Sequence, residues 1–401
     1  MLYRWIVLFG VWAAYSAFGL VATSLAPLVS QVEQDLGFSH TAMGSIMGAW
    51  QLTYIVAAIP CGILLDRYAS RYTLTLGILL IAASALLRGF ATDYVSLLIA
   101  VMLFGLGGPI VSTGAPKLIT RWFEGSNRGL AMGVYMTGPA IGGVVSLTMT
   151  HTVLLPLFGH WQTLMIGLSI LVALVAILWF VIASQGPMRS AEGNDRAAST
   201  SATPVRARHL ITQPTVQIVL LMSIGVFLFN HGLNNWLPEL LKGHGLSLIE
   251  AGYWAAIPTV IGILGSLTIP RLATPGRRLH ILLGLCVCAI ASSLLLQFNH
   301  DGLLTVGLII QGIARSSLMT VLVLTLVELP GIGERYAGLA SGLFFSAAEF
   351  GGVMGPTLLG MTYDFWGDFS LGLGLLTLDA MLLAWATLVL MRRVSEAEHI
   401  R

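Results

Sequence analysis

Two charged side chains, Arg315 and Glu349, lie in the middle of long apolar stretches and are the first candidates for chemistry. A charge in apolar surroundings is costly, so each needs a partner or a function. A guanidinium stays protonated and presents a planar fork of donors that matches a carboxylate or a small oxyanion. We expect Arg315 to bind an anion; the alternative is a structural ion pair with Glu349 or with Asp379, a third charge in an apolar stretch.

Glu349 suggests a coupling mechanism if it neighbours Arg315. With Glu349 ionised the two side chains pair, and protonation of Glu349 frees the guanidinium for an anionic substrate. Proton and anion would then travel together.

A third group of polar residues interrupts the apolar stretch around residue 230. Asn230 and Asn234 share one helix face, and His231 and Asn235 share another, so both faces cannot look at lipid. We expect these residues to bind substrate, with His231 also able to carry a proton. Hydrogen bonds between helices are the alternative.

Other functions lack their sequence signatures. The chain has no HExxH motif, no nucleotide-binding glycine loop and no serine elbow, so we do not expect an enzyme. The pair Cys286 and Cys288 lacks the further ligands of a zinc site, and we expect no metal and no cofactor. A basic patch with interleaved aromatic residues is missing as well, so nucleic acid is not an expected partner.

The composition indicates an integral membrane protein. Apolar residues make up 56% of the 401 residues and charged residues only 9%, against about 25% charged in a soluble domain. The apolar runs are continuous, which favours helices over barrel strands. A spanning helix needs about 20 apolar residues. We predict twelve spans, at 5–29, 42–65, 72–91, 95–119, 129–152, 162–184, 215–238, 250–270, 279–298, 303–327, 337–360 and 369–391.

Two six-helix halves follow from the polar segment between the sixth and seventh spans. We predict an N-terminal bundle at 1–184, a linker at 185–211 and a C-terminal bundle at 212–401. Of the 20 lysines and arginines, 17 lie on the side of the linker and both termini, Arg88 and Lys242 lie on the other side, and Arg315 lies within a span. This bias predicts that both termini and the linker are cytoplasmic.

A repeated stretch supports the two-half organisation. Residues 129–144 read GLAMGVYMTGPAIGGV, and residues 338–353, which are 209 positions later, read GLASGLFFSAAEFGGV. Small residues at four-residue spacing let helix backbones approach closely in lipid. We expect close helix packing at Gly138, Pro139, Gly142, Gly143, Gly351, Gly352 and Gly355.

Twelve spans in two halves, a central loop and an internal repeat together resemble the major facilitator superfamily of secondary transporters. The loop from Gly62 to Arg71 resembles the signature loop of that family, with Ala69 where a glycine is common. The resemblance implies a cytoplasmic gate, formed by Asp66, Arg67, Arg71 and Arg121. Residues 138–143 also match the core of an antiporter-like motif, although the fourth span lacks the arginine that usually accompanies that motif in proton-coupled exporters.

The resemblance also implies that spans one, four, seven and ten line the substrate path. It thereby places Arg315 beside the path and adds Trp12, Tyr15 and Ser112 as candidate substrate contacts. Span twelve usually flanks the bundle, so Asp379 is more readily a structural partner than a proton carrier. The sequences of spans five and seven are similar to those of the branch that contains cyanate and nitrate-type transporters, but span one lacks the arginine of the cyanate type.

We therefore predict an all-α membrane protein that works by alternating access in a bacterial-type inner membrane, as a monomer. The expected function is proton-coupled uptake of a small organic or inorganic anion, and the alternative is a proton-driven exporter of drugs or metabolites. Two other classes are disfavoured. A membrane sensor would need a signalling domain and a channel would need a ring of pore-lining residues, and we find neither in the sequence.

Overall fold

The computed structural model describes residues 2–124, 126–185, 211–329 and 333–399, and within these ranges it leaves out the side chains of residues 2, 66, 126, 333–339 and 395–399. Twelve long helices form the described chain. They are α1 (Leu2–Thr23), α2 (His40–Arg67), α3 (Ser70–Gly89), α4 (Tyr94–Trp122), α5 (Ser126–Met149), α6 (Trp161–Ala183), α7 (Pro214–Gly243), α8 (Leu248–Leu272), α9 (Arg278–Leu295), α10 (Asp301–Val327), α11 (Gly333–Trp366) and α12 (Ser370–His399).

The predicted all-α membrane fold is confirmed. Eleven helical stretches of the described chain are long and apolar enough to cross a membrane. Helix α11, which carries Glu349 and several glycines, is not among them. Helices α7, α11 and α12 run further than their predicted spans because a span marks only the apolar part of a helix.

The first predicted span, 5–29, falls within an apolar stretch that runs from Tyr3 to Leu36, but this stretch is not one continuous helix. Helix α1 stops at Thr23, and a 3₁₀ turn (Ala26–Leu28) and a short helix (Val29–Leu36) continue the chain. Pro27 explains the stop, since proline has no N–H and its ring collides with the carbonyl four residues earlier. Arg88, only 1% exposed, donates from Nη1 to the carbonyl of Val21 (2.9 Å) and to Ser24 Oγ (3.2 Å), so it satisfies the end of α1.

The chain folds as two compact units. Unit 1 consists of Met1–Phe38, Ala49–Ala202 and Leu248–Gly252, and unit 2 of Ser39–Gly48, Thr203–Ser247 and Tyr253–Arg401. The predicted halves differ from these units at the start of α2 and at the start of α8. Close backbone approaches explain both exchanges, because Gly44 lies against Pro356 of α11 and Gly252 lies against the carbonyl of Leu147 of α5.

The repeated stretches occupy equivalent places in the two units. In unit 1 a side chain at Gly142 would meet the backbone of Ser16 and Leu20 in α1. In unit 2 a side chain at Gly351 would meet Ile224 and Leu228 of α7. The contacted residues in α1 and α7 are 208 positions apart in both pairs, close to the 209 of the repeat itself.

Gly351→Ala is expected to destabilise unit 2. The added methyl would overlap the carbonyl of Ile224, which is backbone and cannot rotate away, and overpacking of this kind costs about 1–3 kcal/mol. We expect a lower melting temperature of the purified protein. Gly342→Ala in the same helix is the matched control, since nothing lies within 4 Å of that position; an equal loss in both variants would contradict the packing account.

Two aspartates satisfy helix N-termini in different ways. Asp93 caps its own helix α4, with Oδ1 accepting from the backbone N–H of Ser96 at 2.9 Å, and this bond holds the pKa of Asp93 below its usual range. Asp364, near the end of α11, instead caps α2. It accepts from the N–H groups of His40 (3.1 Å) and Thr41 (2.8 Å), while the His40 ring stacks on Tyr363 at a centroid separation of 3.8 Å.

Asp364→Ala is expected to loosen the first turn of α2. Loss of a cap costs about 1 kcal/mol, so amide hydrogen exchange at His40 and Thr41 should accelerate roughly fivefold. Asp368→Ala is the control, because Asp368 accepts only from Ser370 N–H at the start of α12 in the bonds seen for it (2.7 Å). Unchanged exchange at α2 in Asp364→Ala would show that this cap carries no stability.

Candidate functional site

Arg315 contacts polar side chains of two other helices of unit 2. Arg315 lies on α10, is partly buried, and donates from Nη1 to Thr259 Oγ1 of α8 at 3.4 Å. Asn230 of α7 donates from Nδ2 to the backbone carbonyl of Arg315, also at 3.4 Å. Three helices therefore meet at this arginine.

Arg315 forms no ion pair with Glu349 or Asp379 within the described residues. The pairing that the sequence left open is thus not made in this structure. The guanidinium has only the neutral hydroxyl of Thr259 as a side-chain partner, among the contacts that can be described. Such a group is suited to an external anion.

The polar residues of α7 differ in whether their side chains have hydrogen-bond partners within the protein. Asn230 keeps Oδ1 buried with no described hydrogen-bond partner. His231 contacts the Phe227 ring at a centroid separation of 5.3 Å. Asn235 is buried and donates to the carbonyl of His231 at 2.8 Å, so its amide serves its own helix. Asn234 is partly buried, and no contact of it is described.

The two membrane carboxylates have different surroundings. Glu349 is 5% exposed, and its Oε2 is buried without a hydrogen bond to any described group. Asp379 Oδ1 lies 2.6 Å from the position that a side-chain carbon on Gly225 would take, so this glycine makes room for the carboxyl group against α7. Neither carboxylate meets a cation in the part of the chain described.

Gln311 is a polar residue of this region that the sequence analysis missed. It is fully buried on α10, one turn before Arg315, and neither amide atom has a hydrogen-bond partner in the described structure. An uncharged amide in an apolar run is a weak signal, although its four-residue spacing from Arg315 places both on one face.

The candidate polar residues of α7 and α11 are not repeated in unit 1. The 208-residue offset between α1 and α7 makes Ala22 and Thr23 the counterparts of Asn230 and His231, and Ala140 is the counterpart of Glu349 in the repeat. The equivalent positions of unit 1 are therefore apolar or carry a single hydroxyl. These polar residues are therefore peculiar to unit 2 and are not part of the internal repeat.

The candidates of unit 1 are aromatic and hydroxyl groups. Trp12 donates from Nε1 to Thr137 Oγ1 at 3.1 Å, and Tyr15 stacks on Tyr135 at a centroid separation of 5.7 Å. The hydroxyl oxygens of Ser112 and Tyr54 lie 2.8 Å apart.

The predicted gate residues lie at the end of α2, the start of α3 and the end of α4. The side chain of Asp66 falls outside the described set, while Arg67 is exposed in the last turn of α2. The guanidinium of Arg71 lies over the Tyr72 ring at 4.5 Å, and Arg121 is partly buried in the last turn of α4. The gating role of these residues stays a prediction.

Several of the predicted packing glycines lie close to a neighbouring helix. A side chain at Gly138 would meet the Trp12 carbonyl at 3.0 Å, one at Gly143 would meet Thr23 Oγ1 at 3.2 Å, and one at Gly355 would meet Leu228. Gly352 is buried, and Pro139 lies inside a helix that continues through it.

Comparisons with known proteins agree with this architecture. Three relatives are the hexuronate transporter of Bacillus subtilis (24% identical, covering 90% of this chain and 88% of the relative), the quinolone resistance transporter of Acinetobacter baumannii (26%; 86% and 83%) and the 4-hydroxybenzoate transporter PcaK of Pseudomonas aeruginosa (24%; 67% and 65%). A solved bacterial homologue of the human lysosomal transporter Spinster matches the fold with a TM-score of 0.78 at 16% identity, over 98% of both chains. The model of the Major Facilitator Superfamily matches residues 11–356. The chain is therefore a membrane transporter, not an enzyme, and belongs to the Major Facilitator Superfamily.

Proposed function

We propose that this transporter takes up a small organic acid anion together with protons, by alternating access. The observation that carries the proposal is the Arg315 guanidinium, which has a neutral hydroxyl partner and no described carboxylate partner. A cation held in the membrane without a counter-charge is stabilised when an anion arrives. Relatives named for hexuronate and 4-hydroxybenzoate support an organic acid as this anion.

The substrate carboxylate would bind the Arg315 fork, as carboxylates do in bidentate pairs. Asn230 Oδ1 and the Gln311 amide are buried polar groups that lack described partners, and a bound ligand or water would satisfy them. His231, which follows Asn230 on α7, is proposed as a further substrate contact. Trp12, Tyr15 and Ser112 are the contacts that we propose for unit 1.

Glu349 is the proposed proton carrier. A buried carboxylate without a cationic partner favours its neutral form, and it releases a proton when water reaches it. In this scheme the substrate-loaded transporter has a protonated, neutral Glu349 and an anion bound to Arg315. The binding site therefore carries little net charge when the transporter changes conformation. Asp379, which packs against Gly225 of α7, is assigned a structural role.

The proposed setting follows from the charge distribution. Seventeen of twenty basic residues on one side support an inner-membrane protein with both termini and the linker cytoplasmic. We propose a monomer, with the lipid bilayer, protons and the substrate as its partners, and a cytoplasmic gate at Asp66, Arg67, Arg71 and Arg121.

Counterflow in proteoliposomes tests the proposal. Vesicles preloaded with one unlabelled acid should transiently accumulate the same labelled acid from outside, with saturation kinetics. The panel comprises glucuronate, galactarate, 4-hydroxybenzoate and a bulky cationic drug. Counterflow of one or more acids, but not of the cation, supports the proposal; linear flux without counterflow would indicate a channel.

Proton-driven export is the second candidate. It is favoured by the relative named for quinolone resistance and by the glycine–proline motif at residues 138–143. In everted vesicles with an acidic lumen, protons leaving the lumen would then drive the compound into it, in the direction opposite to proton movement. In right-side-out vesicles an inward proton gradient would drive the compound out, whereas it would drive uptake by a symporter.

A further inference from the structure

A cavity of about 590 Å³ lies at the end of α11. The start of α2, the last turns of α11 and the start of α12 form its wall, and all of these segments belong to unit 2. Its volume is in the range of roughly 300–1,000 Å³ that is usual for small-molecule sites. None of the residues described for its wall has a part in the proposed substrate site, so we call it the α11 cavity and consider its ligand separately.

The apolar part of the wall continues two stripes of exposed apolar side chains. Leu358, Met361 and Phe365 of α11 and Leu371 of α12 line the α11 cavity, and the Phe365 side chain is 80% exposed. Further along the same two helices the exposed apolar residues recur at helical spacing, at Phe350 and Met354 of α11 and at Leu375, Leu378 and Leu382 of α12. Exposed apolar faces of this kind mark contact with the membrane. The α11 cavity is therefore a recess in a surface that acyl chains cover.

The α11 cavity lies at the boundary of the apolar part of unit 2. The predicted spans end at residue 360 and begin again at residue 369, and Asp364 lies between them. Trp366, two residues further on, is 62% exposed. Tryptophan is enriched at the level of the lipid headgroups. The apolar wall thus lies at the depth of acyl chains, and Asp364 at the depth of headgroups.

Asp364 is the charged residue among those described for the wall. Thr362 donates its hydroxyl to the carbonyl of Leu359 at 2.9 Å, and Thr41 donates its hydroxyl to Asp364, so both hydroxyls are engaged. The Asp364 side chain keeps 32% exposure, and the backbone N–H groups that bond it are neutral donors, which leave its negative charge in place. The His40 ring, with Nδ1 4.0 Å from Oδ1, adds a positive charge only when it is protonated.

This combination selects the headgroup of the ligand. A primary ammonium group brings both a positive charge and N–H donors to a carboxylate, and such charge-assisted hydrogen bonds are the strong ones. A quaternary ammonium group brings the charge without a donor. An anionic headgroup would be repelled by Asp364, since like charges brought together cost several kcal/mol.

We propose that the α11 cavity binds a phospholipid with a primary ammonium headgroup, such as phosphatidylethanolamine. Its ammonium group binds the Asp364 carboxylate, and one acyl chain packs against Met361, Phe365 and Leu371. The site goes beyond the proposed transport function and does not depend on it. The lipid also contacts Thr41, so it lies beside the bonds that cap α2.

Photo-crosslinking locates the bound lipid. Full-length protein in phosphatidylcholine vesicles receives a trace of phosphatidylethanolamine that carries a diazirine in one acyl chain, and the labelled peptides are identified by mass spectrometry. We expect the label to concentrate in residues 358–371. Unlabelled phosphatidylethanolamine should displace it at roughly tenfold lower content than phosphatidylglycerol, because a hydrogen bond to a charged group contributes about 1.5–3 kcal/mol.

Two pairs of variants assign the label to the cavity. Asp364→Asn keeps an oxygen that can cap α2 but removes the charge, and it should abolish the preference between headgroups. Asp368→Asn is its control, because Asp368 is exposed but is not among the residues described for the wall. Met361→Trp fills the recess and should reduce labelling severalfold. Met354→Trp, on the same exposed face but outside the described wall, should not.

Several outcomes would overturn the proposal. Label spread evenly along the exposed faces of α11 and α12 would show ordinary contact with bulk lipid. A headgroup preference that survives in Asp364→Asn, or labelling that Met361→Trp leaves unchanged, would also contradict it. Displacement by glucuronate or 4-hydroxybenzoate would assign the α11 cavity to the transported substrate. If Asp364→Asn does not fold, N-methylated lipids decide with the native protein: the monomethyl and dimethyl headgroups keep an N–H and should compete, and equal competition by the trimethyl headgroup would contradict the assignment.

Discussion

Arg315→Ala is expected to weaken substrate binding by roughly 30-fold, because a charged hydrogen-bonding partner of a carboxylate contributes about 2 kcal/mol. The structure shows no described carboxylate that would be left unpaired by the change, so the protein should keep its fold. Arg315→Lys should recover part of the affinity, since it keeps the charge but loses the planar fork. The measurement is the concentration dependence of counterflow.

Arg88 offers a matched comparison for that experiment. It is a buried arginine within a described span, but its Nη1 donates to Val21 and Ser24 at the end of α1. Arg88→Met should therefore lower the melting temperature and leave the apparent affinity of the folded protein unchanged. If Arg315→Ala instead behaves like Arg88→Met, Arg315 is structural and the anion site lies elsewhere.

Glu349→Gln is expected to separate proton coupling from transport. Glutamine imitates the protonated carboxyl group and cannot release a proton, so the variant should exchange substrate in counterflow at a normal rate. A pH gradient should no longer drive accumulation above the outside concentration, whereas the native protein should accumulate severalfold. Both quantities are measured in the same proteoliposomes.

Asp379→Asn is run beside Glu349→Gln, because Asp379 is the other membrane carboxylate without a described cationic partner. Loss of accumulation only in Glu349→Gln assigns the proton to Glu349. Loss only in Asp379→Asn would move the proton to the Asp379 carboxyl group beside Gly225 and contradict the scheme above.

The fold was largely predictable because its signals are local. Continuous apolar runs indicate spans, and small residues at four-residue spacing indicate close packing, as at Gly142 against Ser16 and at Gly351 against Ile224. The end of α1 was missed because apolarity continues past Thr23, whereas Pro27 and the hydrogen bonds of Arg88 determine where the helix stops.

The candidate site was only partly predictable, because its properties depend on contacts between distant residues. Composition alone singles out Arg315 and Glu349 as costly charges, but whether they pair depends on the placement of α10 against α11. The sequence does not single out Gln311 or Thr259. Thr259 belongs to the site because it accepts a hydrogen bond from Arg315, and Gln311 because it is a buried amide one turn before Arg315 without a described partner. Tyr135 joins Tyr15 only through the packing of two helices.

The central claim is that Arg315 binds an organic acid carboxylate, and ligand-induced thermal stabilisation of the purified protein tests it most directly. At a concentration of about 100 times the dissociation constant, an acid that binds only the folded state stabilises it by about 2.7 kcal/mol. We predict this stabilisation for at least one organic acid, with a reduction to about 1 kcal/mol in Arg315→Ala at the same concentration. Stabilisation by bulky cations alone, equal in the native protein and in Arg315→Ala, would contradict the account and favour the exporter.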